Sequence, residues 1–360
     1  MGRTLRETWT SILHGRSGVA PVERFSTDMY ESHVAATIPD LERKAGRSMI
    51  CDLIDRLYES TGNIPDDAKL LTATTKLGID NLECVQQGTA AATSDILPAS
   101  MPEIVSRKTG VTNAGVNISA SCASSTIAIA QASTTIAGDY ADSFLVCCAD
   151  IVTEFTFSGF SSLKVVSAEP PRPFDKNRNG LNLGDGAAAL LLMSEERMNR
   201  ENRTPLAEVA GWGVASDAFH ITSPDPDGSG LVSSIENAMR LAQISPDDVS
   251  AVSAHGTGTL YNDTMELTAF GTLFGDRSLP VYSVKGATGH TIGAAGGIEV
   301  ALAVEALRSG IALPTVGFRE PDAGAEGKVN NEAVPISGDY VLTCNSGFGG
   351  INAAIILKRC

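Results

Sequence analysis

No Cys-x-x-Cys pair occurs in the sequence, and its seven cysteines fall at irregular positions. An odd, scattered set argues against a disulfide framework, suggests a reducing compartment and makes a zinc site improbable. Aromatic residues are scarce at 5%, and there are only five histidines. Basic residues number 27 against 42 acidic ones, a net charge of −15, which argues against a general nucleic-acid binder. No apolar run is long enough for a bilayer. The most apolar helical stretch, 292–307, is interrupted by Glu299 and Glu305. The start lacks an apolar signal region, and Arg6 stands where a myristoylation motif has Ser or Thr. A soluble, cytoplasmic protein without membrane insertion or a nucleic-acid partner is expected. Neither a Walker lysine nor a well-formed GxGxxG follows a strand, so nucleotide binding is not indicated.

What the chain does have is 43% hydrophobic residues and 35 glycines in 360 residues, enough for close-packed layers of helix on sheet. Continuous apolar runs at 143–149, 184–193 and 249–254 read as strands covered on both faces. Helical patterns lie at 5–13, 49–57, 230–243 and 292–307. The end of the chain, 340–357, reads as strand, glycine turn and strand, and its closing strand resembles 184–193. Similar elements in the same order suggest a duplicated α/β unit, with halves at 1–200 and 201–360.

The stretch Ile118-Ser-Ala-Ser-Cys-Ala-Ser-Ser-Thr126 organises the first half. An extended run ends there on small residues and turns into an Ala-rich helix, which places Cys122 in the first helical turn. Free backbone N–H groups and the helix dipole favour a thiolate at such a position. His255 follows a buried strand in Ala254-His-Gly-Thr-Gly-Thr259. His290 closes Lys285-Gly-Ala-Thr-Gly-His290, immediately before an Ala/Gly helix, and so repeats the cysteine's elbow. The surrounding glycines allow a ligand to approach the backbone closely. Arg43, Lys44 and Arg47 cluster before the helix at 49–57 and by themselves read as a solvated face.

Five ordered motifs carry a resemblance. They are Ala120-Ser-Cys-Ala-Ser-Ser-Thr126, the stretch from Arg172-Pro-Phe-Asp to Gly184-Asp-Gly186, Ala254-His-Gly-Thr-Gly-Thr259, Lys285-Gly-Ala-Thr-Gly-His290 and Asn345-Ser-Gly-Phe-Gly-Gly350. Together they are similar to the elongating β-ketoacyl-ACP synthases of the thiolase superfamily. Starter-type ketosynthases carry Asn where His290 stands, and thiolases carry a second Cys in the last glycine turn.

The resemblance implies a thiolase-like, duplicated α/β/α/β/α five-layer fold. Because the family opens with a strand ahead of the helix at 5–13, it also implies that the first strand of the N-terminal half is missing here. It implies that Cys122 accepts an acyl group and that the N–H groups of Cys122 and Phe348 form an oxyanion hole. His255 and His290 would promote decarboxylation of a malonyl thioester. Lys285 would orient His290 and the local network, with Glu299 in support. Thr257 and Thr259 would bind the phosphopantetheine arm, Phe348 would gate the acyl pocket, and Lys44 and Arg47 would dock acyl-carrier protein. No metal and no cofactor beyond the carrier's arm are implied, and a homodimer is. The alternative is a weakly active or non-catalytic partner in a heterodimer with another ketosynthase. A cysteine hydrolase would leave one histidine and Lys285 without a role.

Overall fold

The computed structural model describes residues 1–44, 46–59, 61–89 and 91–360. The run at 143–150 is the most deeply placed strand of a first sheet, with all eight residues buried. That sheet contains β1 (Lys69–Ala73), β2 (Val116–Ile118), β3 (Ser143–Asp150) and β4 (Gly186–Met193), in the order β2-β1-β3-β4. β1 is parallel to β2 and β3, and β4 is antiparallel to β3.

The second sheet contains β5 (Glu208–Ser216), β6 (Val249–Ser253), β7 (Val281–Tyr282), β8 (Tyr340–Gly347) and β9 (Ile351–Lys358), in the order β7-β6-β8-β9-β5. β6 is parallel to β7 and β8, and β9 is antiparallel to β8. Four strands of this sheet therefore repeat the first sheet's order and directions. The fifth, β5, pairs antiparallel with the outer side of β9.

The helices are α1 (Leu5–Leu13), α2 (Met49–Glu59), α3 (Ile79–Gln86), α4 (Met101–Thr109), α5 (Ser124–Ala137), α6 (Glu154–Ser162), α7 (Glu195–Arg200), α8 (Ser229–Ala242), α9 (Leu260–Phe274), α10 (Lys285–Thr288) and α11 (Ala295–Ser309). α5 and α11 touch each other and pack between the two sheets. α2 and α4 cover the first sheet's outer face, and α8 and α9 cover that of the second. Side chains of β3 alternate accordingly. Phe144, Val146 and Cys148 join the core between the sheets, whereas Leu145, Cys147 and Ala149 join the outer one. The result is the expected five-layer α/β/α/β/α arrangement.

Two glycines decide how closely the central helices lie. A Cβ on Gly296 would fall 1.9 Å from the Thr126 hydroxyl, and one on Gly297 would fall 2.3 Å from the Cys148 sulfur. This contact brings the starts of α5 and α11, and the residues just ahead of them, to one place.

The sheets differ at one edge. β9 is paired on both sides, whereas among the described residues β4 is paired only to β3. Beside the start of β4 lies a cavity of about 1300 Å³, lined by residues from the start of α1, by Leu53 and Leu57 of α2, and by Gly186, Ala187 and Ile298. The connection at 194–203 contains a short helix, α7, and two helices the sequence pattern did not suggest, α6 and α9, complete the count. Among the described residues no helix is long and apolar enough to cross a membrane.

Candidate active site

Each sheet delivers side chains from the C-terminal ends of its parallel strands. In the first, the chain leaves β2, passes Ser121 and enters α5 just after Cys122. Ser121 has φ 51°, a left-handed conformation that costs a non-glycine residue about 1 kcal/mol or more. That turn makes room for a sharp strand-to-helix elbow with the nucleophile at its tip. In the second sheet His255 follows β6, while His290 follows β7 and the single turn α10. Ile292, two residues beyond His290, is likewise left-handed at φ 52°. The repeated elbow is therefore real, and the contact of α5 with α11 sets its two copies face to face.

Cys122 Sγ lies 3.0 Å from His290 Nε2. The rings of His255 and His290 are 5.2 Å apart and nearly perpendicular. All three residues are buried. The tautomers follow from the partners on the far sides of the rings. His290 Nδ1 accepts the Ile292 N–H at 3.0 Å, so the ring's one proton sits on Nε2. His255 Nδ1 faces the Lys285 ammonium at 3.2 Å and the Asn345 side-chain amide nitrogen at 3.0 Å. The Asn345 orientation is fixed, because that nitrogen also donates to Glu299 at 2.7 Å and its oxygen takes the Thr126 hydroxyl. Both neighbours of Nδ1 are donors, so His255 too carries its proton on Nε2.

Burial, reinforced by the Lys285 charge, holds both imidazoles well below the usual histidine range, which keeps them neutral. Two Nε2–H donors thus converge beside the sulfur. The three groups lie within 4.8 Å of one another, close enough for an ion. A metal-bound imidazole, however, donates from its far nitrogen, and here both far nitrogens accept. The pair is set to donate hydrogen bonds rather than to bind a metal.

Two readings of the sequence need correction. Lys285 does not orient His290. Its ammonium bonds the ring and the carbonyl oxygen of His255 (2.5 Å to the latter) and pairs with Glu299. In addition, the resting Cys122 is not a thiolate. Burial, against the opposing charge of Lys285, pushes its thiol up to about 12. The helix start was legible, but the depth at which it is buried was not. Carbamidomethylation of Cys122 by iodoacetamide, followed by intact mass, should therefore accelerate about tenfold per pH unit from about pH 7 to about pH 10. A plateau below about pH 9 would contradict this assignment.

The remaining candidates fall in two places. Phe348 forms the turn between β8 and β9, stacks on Phe160 with centroids 5.9 Å apart, and accepts the Ser121 hydroxyl on its carbonyl at 2.9 Å. A Cβ on the preceding Gly347 would lie 3.2 Å from the Cys122 nitrogen, so the two backbones run side by side. Thr257 and Thr259 follow His255, with their hydroxyls 2.9 Å apart. Lys44 and Arg47 both precede α2 and are paired with Asp52 and Asp55, their side chains 61% and 40% exposed.

Several participants carried no role in the sequence reading. Asn345 bonds His255 Nδ1 from behind and links it to Glu299, the residue already expected in support. Phe160 on α6 meets His290 edge-on at 6.4 Å. Glu266 on α9 accepts the amides of His255 and Gly256, each at 2.7 Å. Asp150, at the end of β3, accepts from Thr74 and from the Gly293 amide just after the His290 elbow. Asn345 stood inside a recognised motif, whereas Glu266 and Asp150 show up only through the backbone groups they bind.

The chain matches known proteins along most of its length. The profile described as β-ketoacyl synthase, N-terminal domain matches residues 71–198, and the one described as β-ketoacyl synthase, C-terminal domain matches residues 206–319. The 3-oxoacyl-[acyl-carrier-protein] synthase 2 of Coxiella burnetii is 30% identical over 399 aligned positions, covering 100% of this chain and 95% of that protein. The protein of the same name from Vibrio harveyi is 30% identical over 397 positions, with the same coverage. Among solved structures, a β-ketoacyl synthase from Burkholderia phymatum superposes with a TM-score of 0.88 at 26% identity, over 99% of this chain and 96% of that one. The ishigamide ketosynthase/chain length factor superposes with a TM-score of 0.87, also at 26% identity, over 99% and 95%.

Proposed function

The chain belongs to the β-ketoacyl synthase family, and from that premise we propose that it catalyses the decarboxylating condensation of an acyl-enzyme thioester with malonyl-ACP. The observation that carries this reading is the convergence of two neutral imidazole Nε2–H donors on a buried thiol, 3.0 Å away in the case of His290. A hydrolase needs a base beside its nucleophile. Here neither near-side nitrogen can accept a proton, whereas an enolate oxygen needs two donors.

In the first half-reaction Cys122 Sγ attacks the thioester carbonyl of an acyl-carrier protein. The pantetheine thiol leaves with the proton that Cys122 gives up, so charge balances without a strong base. The Nε2–H of His290 and the start of α5 stabilise the sulfur as it becomes anionic. The N–H groups of Cys122 and Phe348 stabilise the tetrahedral oxyanion.

Malonyl-ACP then loses CO2. The electron pair of the broken C–C bond passes into an enolate whose oxygen receives the His255 and His290 donors. The enolate carbon attacks the acyl-Cys carbonyl, Sγ is expelled, and a proton from solvent restores the thiol. Lys285, Glu299 and Asn345 hold the His255 tautomer throughout. Thr257 and Thr259 bind the pantetheine arm, Phe348 gates the acyl pocket, and Lys44 and Arg47 dock the acidic carrier. No further cofactor is required by this sequence of steps, and the assembly is a homodimer.

The similarity to a ketosynthase/chain length factor favours one second reading, a subunit that works only beside another ketosynthase. The two readings separate in one assay. The acylated protein is mixed with malonyl-ACP labelled in its carboxylate, and released CO2 is compared with β-ketoacyl-ACP formed. Equal yields from the protein alone are expected. Turnover that appears only after a second ketosynthase is added would replace this reading with the partner one.

A further inference from the structure

The loop from His255 to Leu260 is held by different groups at its two ends. At the His255 end Glu266 takes two backbone amides. In the middle Asp263 accepts the amides of Thr257 at 2.9 Å and Gly258 at 3.1 Å, together with the Phe174 amide at 2.8 Å. At the far end the carbonyls point the other way, toward Arg178. Its Nε donates to Thr259 O at 3.2 Å, and its Nη2 to Leu260 O at 3.1 Å and to the Thr264 hydroxyl at 2.7 Å. Nη1 donates to Asp175 O at 3.0 Å and pairs with Asp322.

The Arg178 side chain is 0% exposed, so it faces no solvent and no substrate. Its donors are spent on three backbone carbonyls, the Thr264 hydroxyl and the Asp322 carboxylate. A planar guanidinium can span two successive carbonyls and a side chain in this way, and a lysine ammonium cannot. Gly180, two residues on, adds a further bond by donating to Gly258 O at 3.0 Å. The loop at 172–180 is therefore a template against which the mouth of the site is laid.

We propose that Arg178 is a positioning residue for the Thr257–Thr259 hydroxyl pair, setting affinity for the carrier's amide-bearing arm while leaving the Cys122–His290–His255 chemistry alone. This rests on the reading above that the two threonines bind that arm. The loop has two functional ends. Glu266 fixes the catalytic one, and Arg178 fixes the binding one from behind, through the carbonyls of Thr259 and Leu260.

The test compares Arg178→Lys with a Thr257→Val/Thr259→Val double variant. Acylation of Cys122 is measured with hexanoyl-ACP and with the S-phenyl ester of thiohexanoic acid, which has no amide for the threonines to hold. Arg178→Lys should raise the half-saturating concentration of hexanoyl-ACP about tenfold, keep the maximal rate within about twofold, and leave the phenyl thioester unaffected. The threonine variant should show the same split. If Arg178→Lys does not fold, Asp322→Asn, which loosens the same guanidinium without removing it, should give that split at smaller amplitude.

Equal losses with both thioesters would overturn the proposal, since Arg178 would then act on the catalytic end or on the fold. So would an unchanged half-saturation in the arginine and Asp322 variants while the threonine variant shows the effect. No effect in the threonine variant, whatever Arg178→Lys does, would remove the arm-binding assignment itself and the proposal with it.

Discussion

Cys122→Ala is expected to form no acyl adduct with acyl-ACP and to lose condensation by about 10⁴-fold or more, equivalent to about 5.5 kcal/mol of transition-state stabilisation. The background is low because the other described cysteines, Cys51, Cys84, Cys147, Cys148 and Cys344, are buried and only Cys360 is exposed. Peptide mapping distinguishes the two sites, and intact mass counts the adducts. Decarboxylation should survive in part. The Nε2–H groups of His255 and His290 are fixed by Ile292, Lys285 and Asn345, none of which depends on the sulfur. The variant should therefore release CO2 from malonyl-ACP without forming a carbon–carbon bond. An adduct retained on a buried position other than 122 would contradict the assignment of the nucleophile. Loss of CO2 release in step with condensation would show that the donors need the thiol in place.

The second large effect is on stability. Lys285 and Glu299 form an ion pair with side chains 2% exposed, bridged by Asn345 and His255. Such a pair contributes little over an apolar alternative, but breaking it leaves an uncompensated charge inside the protein. Lys285→Met should cost about 3–5 kcal/mol in urea unfolding, and Lys285→Met/Glu299→Gln should recover most of that.

The pH dependence has a definite sign. Burial holds the Glu299 carboxyl above the usual glutamate range, with the Lys285 charge opposing. Removing Lys285 raises it further. A group whose folded value is raised contributes its stability at pH below the unfolded value, and that contribution fades as pH climbs through the folded one. The deficit of Lys285→Met should accordingly be smaller near pH 5 than near pH 8. A cost below about 1 kcal/mol at both would mean that solvent reaches Glu299.

The strands, helices and sharp elbows were legible because each rests on a local pattern, whereas the five-layer fold and the grouping of the reacting residues into one site came from the resemblance of the five motifs. Unbroken apolar runs mark strands covered on both faces, and small residues around Cys122 and His290 mark sharp entries into helices. What was not legible depends on depth or on distant partners. The thiol's ionisation was misjudged because a helix start is visible in sequence while burial among five layers is not. The resemblance assigned Lys285 to His290. In space the turn α10 points its ammonium back at His255, thirty residues away. The helix α6 was missed because Glu154-Phe-Thr-Phe-Ser-Gly-Phe-Ser-Ser162 has weak intrinsic helix preference. It forms because Thr153 and Thr156 build a capping box and Phe157 is fully buried.

The unequal closure of the two sheets bears on motion as well as on architecture. The duplicated plan gives each half the same parallel strands, yet β9 is enclosed between two strands while, among the described residues, β4 has a strand partner on one side alone. Local opening begins where a strand lacks a hydrogen-bonded neighbour, and the two strands differ in that respect. Amide hydrogen exchange is therefore expected to be faster along β4 than along β9, and equal protection of the two strands would contradict this.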